Sequence, residues 1–494
     1  MLLALAASPL ACVSEIAPLA EVDALESVTA LSRDLEFEAQ VFVPVGSSDG
    51  VIKSSIDAQN QTAFGTLIHN EIAVNTKELK AAPPASWVKE EVDVVDTATG
   101  RNTGKQLRVR YKYVDKAVMP KRFARRTTFS LALLNKTFVA DAKLRPLCTA
   151  NDEHSRSYPL WYELDTTMSS CADAIRAEVE AVRAAGAKLG SRVKRVSKVE
   201  VERVYQPITI KMGPRDDSRI SSYPEYNQLL RGGVEPNKLV IGLVNGFIDD
   251  GADKLKDSGW EDYFDELRGL AAARSFKLVS AEGAAVASLV PNKPTPTLKD
   301  FVAADSAALR RNIMQKWLVF EAPVKVKIGS EAERDFTIKA QVYFGAGSSA
   351  VPHKRAVKTS DVFVYNGHSY IGAGPLDPRN FAPTDFPATY QILWIDSCVS
   401  YNYYEKDYFP IKAKAVGSGE PTLKLDLITN GLEAPAYASG DAIGEWLQAL
   451  ISGTQPSYKQ LLLAAKATDP LRVVDGEIDN SYSPSAMPIT IKNR

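Results

Sequence analysis

VFVYNGHS, Val362–Ser369, and ILWIDSC, Ile392–Cys398, share one design: four apolar residues, then a short polar signature. A run that is apolar at consecutive positions suits a strand covered on both faces, as in a parallel sheet flanked by helices. In such sheets the functional side chains collect at the carboxyl ends of the strands, and both polar signatures fall there. Thirty positions separate His368 from Cys398. That is room for a loop and a crossover, so the two strands can be neighbours.

Working outward, KLVIGLVNGF (238–247) is another nearly continuous apolar run, followed by DSGWEDYFDELRGLAAARSF with Trp260, Phe264, Leu267 and Leu270 at helical spacing. Buried strand followed by amphipathic helix is the unit of an α/β sheet. Further strands are expected at VYF near Val342, QILWID from Gln391 and LKLDLIT from Leu423, and helices at GDAIGEWLQALISG and PSYKQLLLAAKA. Residues 236–494 therefore read as one α/β domain with a mostly parallel sheet. The acidic stretch IDDGADKLKD lacks the spacing of a calcium loop and reads as a solvated loop with a first helical turn. VPHKR around His353 reads as a proline-flanked turn.

A thiol with a pKa of about 8.5 is mostly protonated at neutral pH, and a nearby imidazole accepts its proton or favours the thiolate. The chain has four histidines. His69 falls in a β-rich region, His154 in a polar loop and His353 in the expected turn, so His368 is the candidate base for Cys398. No Gly-x-Ser-x-Gly elbow offers a serine nucleophile. The few histidines and cysteines show no zinc-ligand spacing, so neither metal nor cofactor is expected.

The pair YNGHS (Tyr365–Ser369) and DSC (Asp396–Cys398), each after an apolar strand and in the order His then Cys, resembles the caspase-like cysteine peptidases of clan CD. The wording Asp-Ser-Cys is nearest to the metacaspases, and the likeness spans roughly residues 236–450. It implies Cys398 as nucleophile, His368 as general base and the backbone N–H groups of Ser369 and Cys398 as oxyanion hole. It implies also that Asp396 lines a substrate pocket for Lys or Arg at P1. On an extended strand Asp396 and Cys398, two apart, would share a face. The sequence departs from the family where Ser369 replaces the glycine after the histidine. The competing reading is a catalytically silent caspase-like surface lipoprotein that binds a protein or glycan.

Toward the amino terminus, residues 21–145 alternate apolar and polar positions in FEAQVFVPV, GTLIHNEIAV, QLRVRYKYV and TTFSLALL, which predicts an antiparallel β-rich domain. Residues 146–235 read as a helical connector. It contains a helix over Ser170–Gly190, and Cys148 and Cys171 form its natural disulfide pair, although spacing alone does not prove connectivity. Residues 1–20, MLLALAASPLAC followed by polar residues, read as a lipoprotein signal with Cys12 as the lipid site, or else as a buried helix. With the signal, the chain is exported to the periplasm or cell surface, and the lipid on Cys12 attaches it to a membrane.

Composition bounds the rest. Of 494 residues, 45% are hydrophobic and 24% charged, enough for several packed domains and incompatible with a disordered chain. The net charge of −1 leaves no basic surplus for phosphates, so nucleic acid is not an expected partner. No apolar run reaches the length of a membrane-spanning helix. The expected partner is a peptide or protein substrate.

Overall fold

A computed structural model describes residues 33–74, 86–120, 123, 125–135, 141–149, 159–190, 194–214, 222–249, 251–435, 438–465 and 471–494. Residues 1–20 with Cys12, and His154, lie outside the described residues. The chain divides into two compact units, with the boundary at 215/216.

The first unit carries strands β1 (Arg33–Pro44), β2 (Ala73–Val74), β3 (Val88–Asp96), β4 (Arg101–Val118), β5 (Thr128–Leu134), β6 (Arg195–Ser197) and β7 (Tyr205–Met212). They form one sheet in the order β5-β7-β1-β4-β3-β6, with β2 beside β4. All its pairings are antiparallel except β3 with β6. Helices α1 (Asp49–Gln61) and α2 (Ser169–Ala187) belong to the same unit. The segment expected as a connector thus contributes two strands to this sheet. GTLIHNEIAV, expected as a strand, is helical in its first half, the end of the helix Ala63–His69, and strand only at its last two residues, β2. Packing decides the helix: it buries Ala63, Phe64 and Leu67, and Gly65 lets it lie against the backbone of Tyr162–Leu164. Cys148 and Cys171 form a disulfide with Cα atoms 4.7 Å apart, joining α2 to the helix Asp141–Cys148.

The second unit is α/β. Its strands are β8 (Lys238–Asn245), β9 (Lys277–Ala281), β10 (Trp317–Ile328), β11 (Arg334–Phe344), β12 (Val362–Asn366), β13 (Gln391–Asp396), β14 (Leu425–Asn430), β15 (Arg472–Asp475) and β16 (Ile489–Asn493). The order is β15-β14-β13-β12-β8-β11-β10-β16, with β9 beside β10. The five central strands, β14 to β11, are parallel. Antiparallel strands flank them on both sides, so the sheet is mixed where a mostly parallel one was expected. Four of these strands, β8, β12, β13 and β14, are buried along nearly their whole length, which explains their unbroken apolar runs. The added strand β10 instead alternates buried and less buried residues, the pattern of a half-covered strand.

Helices α3 (Gly259–Ala273) and α6 (Ser439–Leu450) cover one face. Trp260, Leu267 and Trp446 there pack with Val362, Val364, Ile392 and Trp394 in one cluster. The two helices approach so closely that a Cβ on Gly269 would lie 2.2 Å from the carbonyl oxygen of Gly444. Helices α4 (Ala350–Thr359) and α5 (Ser400–Val416) belong to the same unit. His353, expected in a turn, sits inside α4, because Pro352 falls in the first helical turn, where its missing N–H breaks no bond. Among the described residues no helix is long and apolar enough to cross a membrane.

Candidate active site

Strands β12 and β13 run parallel and side by side, with Asn366 opposite Asp396. His368 and Cys398 each stand two residues beyond that pair, past the carboxyl ends of the strands. The Gly367 N–H donates to the Asp396 carbonyl at 3.2 Å, which carries the pairing one residue further. Gly367 is needed by close approach: a Cβ there would sit 2.5 Å from the Tyr365 hydroxyl. That hydroxyl donates to the His368 carbonyl at 3.0 Å. Burial, aided by Tyr370, Tyr404 and Cys398, raises the Tyr365 pKa.

His368 is half-buried, and its Nε2 lies 2.9 Å from the carbonyl oxygen of Ile248. A carbonyl only accepts, so Nε2 carries the proton and Nδ1 is the basic nitrogen. The acidic loop after β8 fixes that carbonyl. The buried Asp257 carboxylate accepts from the N–H groups of Ile248, Asp249 and Gly259 at 2.9, 3.1 and 3.0 Å, and Asp249 accepts from Ser258. The stretch is a loop exposed at residues 251–253 and 256, as expected, and its buried Asp257 holds the carbonyl that the His368 ring meets. Asp257 just before a helix start was the available signal.

The strand carrying Cys398 ends at Asp396; Ser397 turns back through its N–H to Ile395 O at 3.2 Å. Asp396 and Cys398 are thus not on one extended segment, and the shared-face expectation lapses. Val399 then takes φ 53°, ψ 31°, and α5 begins at Ser400. The Ser400 hydroxyl donates to Ile395 O at 2.7 Å and accepts from the Asn430 N–H at 2.8 Å, which staples the turn to β14. Cys398 so stands before the amino terminus of a long helix, where backbone dipoles favour negative charge. Val399, Tyr370 and Ile371 are left-handed without being glycine. Two of these are β-branched, the residues for which that conformation costs most. Strain therefore gathers just after both motif residues.

Cys398 is 4% exposed, with Sγ 4.0 Å from the Ala434 carbonyl. Asp396 accepts from the Asn430 side chain and faces Arg472 at 3.7 Å, both ionic partners being buried. The guanidinium of Arg472 in turn lies over the Trp394 ring at 5.1 Å. Asp396 thus has a cation inside the chain. Ser369 takes φ −78°, ψ −17°, ordinary helical values, so the backbone at this position does not require glycine. Its amide and that of Cys398 have no acceptor among the described residues.

No protein-family model matches this chain, and no curated protein matches it. Function therefore rests on the geometry.

Beneath the strand ends lie Asn245, Asn366, Asp396 and Asn430, each closing one of four adjacent parallel strands. Glu266 of α3 accepts from Asn245 at 2.9 Å and from Asn366 at 3.3 Å. Burial holds Glu266 well above the usual carboxylate range and pushes Asp262 to about 8. The sequence reading missed these acids, because on α3 they pass for the solvated face of an amphipathic helix. Of the other histidines, His353 is buried with Nδ1 2.8 Å from Ser349 O, and burial lowers it to about 4. His69 lies 3.9 Å from Asp165 in the first unit.

Proposed function

We propose that this chain is a cysteine endopeptidase of caspase-like fold, exported, hydrolysing peptide bonds through His368 and Cys398. The observation that carries the reading is the register of Asn366 with Asp396, by which both motif residues follow the carboxyl ends of neighbouring strands. In the mechanism, Nδ1 of His368 takes the Cys398 proton while Sγ attacks the peptide carbonyl. The amides of Ser369 and Cys398 receive the oxyanion, the imidazolium protonates the leaving amine, and water hydrolyses the acyl-enzyme. The Ile248 carbonyl supports this role by holding the ring and favouring the imidazolium. The disulfide supports an oxidising compartment, consistent with lipidation at Cys12 and a periplasmic or cell-surface location.

A basic P1 side chain would share Asp396 with Arg472, its partner in the folded chain. The test is turnover of peptides varied at P1, run beside Cys398→Ala. Cleavage that disappears in the variant supports the peptidase, and cleavage after Lys or Arg supports the Asp396 pocket. Absence of turnover across the whole peptide set overturns the peptidase reading.

The burial of Cys398 favours a second reading, a catalytically silent domain of the same fold that binds a protein or glycan as a surface lipoprotein. Iodoacetamide labelling of Cys398 that is equal in wild type and His368→Ala favours this reading.

A further inference from the structure

The helix that begins just after Cys398 also grips the loop that follows His368. Tyr404, Tyr408 and Lys412 stand four residues apart on α5, so their side chains line one face. All three are buried. Each donates to backbone carbonyls of the segment between β12 and β13: Tyr404 to Ser369 at 2.5 Å, Tyr408 to Leu376, and Lys412 to Pro387 at 2.8 Å and Thr389 at 2.7 Å. One helix thus pins that segment near its start, its middle and its end.

The first of these contacts differs from the others in where it acts. Ser369 adjoins His368, and Tyr404 is six residues from Cys398, so a single hydroxyl ties the chain at the imidazole to the helix at the sulfur. The bond also falls immediately before Tyr370 and Ile371, whose left-handed backbone persists only if its surroundings hold it. We infer that Tyr404 is a positioning residue that sets His368 relative to Cys398, while Tyr408 and Lys412 shape the remainder of the loop. Tyr404 acts through the backbone and takes no part in proton transfer. The inference rests on the proposed His–Cys pair.

The test is the pH dependence of iodoacetamide alkylation of Cys398 in the full chain, for wild type, His368→Ala, Tyr404→Phe and Tyr408→Phe, each with its thermal unfolding. Losing one hydrogen bond should reduce the neutral-pH rate of Tyr404→Phe by about three- to tenfold and move its profile toward that of His368→Ala. Tyr408→Phe should lose comparable stability and keep the wild-type profile. A Tyr404→Phe protein with lowered Tm and an unchanged profile overturns the positioning role and leaves the pair standing. Coincident profiles for wild type and His368→Ala overturn the pair itself. Should Tyr404→Phe fail to fold, hydrogen exchange of the wild-type chain serves instead. Protection of residues 370–372 equal to that of α5 supports the tie, and free exchange of those amides beside a protected helix overturns it.

Discussion

Asp396 and Arg472 form a buried ion pair, 3.7 Å apart, at the carboxyl end of β13. A charge left alone in such a place costs far more than the pair itself contributes, because neither water nor a partner then solvates it. Arg472→Ala should therefore destabilise the chain by about 3–5 kcal/mol. Adding Asp396→Asn should restore most of that loss, as read by denaturant unfolding. Additive losses in the double variant would show that the two residues are not coupled.

Gly367 and the Tyr365 hydroxyl allow a steric prediction. Gly367→Ala places a methyl group 2.5 Å from that oxygen, which must shift and release the His368 carbonyl. The expected cost is about 1–3 kcal/mol, the range for an overpacked site. Tyr365→Phe in the same chain removes the oxygen and should relieve part of it. Equal unfolding midpoints with and without Tyr365→Phe would exclude the contact as the cause.

Asp262 gives the second unit a pH dependence. Its folded pKa is about 8 against an ordinary 3.8, with burial as the largest cause, so between these values the folded state binds the extra proton. Stability from this group is accordingly full below about pH 4 and falls as pH rises toward 8. Asp262→Asn cannot ionise and should show a shallower decline of Tm from pH 5 to 8. Parallel curves for the two proteins would contradict the assignment.

The Cys148–Cys171 bridge closes a loop across 23 positions. In the chain-entropy account such a loop contributes about 3 kcal/mol. Reduction, or the Cys148→Ala/Cys171→Ala variant, should lower the unfolding midpoint correspondingly. Labelling of all described thiols in the untreated folded chain would show that the bridge does not form.

The parallel centre of the second sheet was legible in the chain because β8, β12, β13 and β14 are buried on both faces, and burial on both faces leaves no polar position to interrupt the run. For the same reason His368 and Cys398 stood out: each follows directly on such a run. Lone local patterns served less well. The alternation read in GTLIHNEIAV was one of these, and packing of Ala63–His69 against Tyr162–Leu164 made its first half a helix.

What surrounds the two motif residues was invisible at that level. Hydrogen bonds such as His368 to Ile248, Asp396 to Asn430 and Tyr404 to Ser369 join positions far apart in the chain. No spacing rule foretells them, since they depend on which strands lie adjacent and in what register. Hydrophobic periodicity is a local property, written residue by residue into the polymer. Partner choice for a buried polar group is made only when the folded backbone brings donor and acceptor together, and burial then makes each such match obligatory.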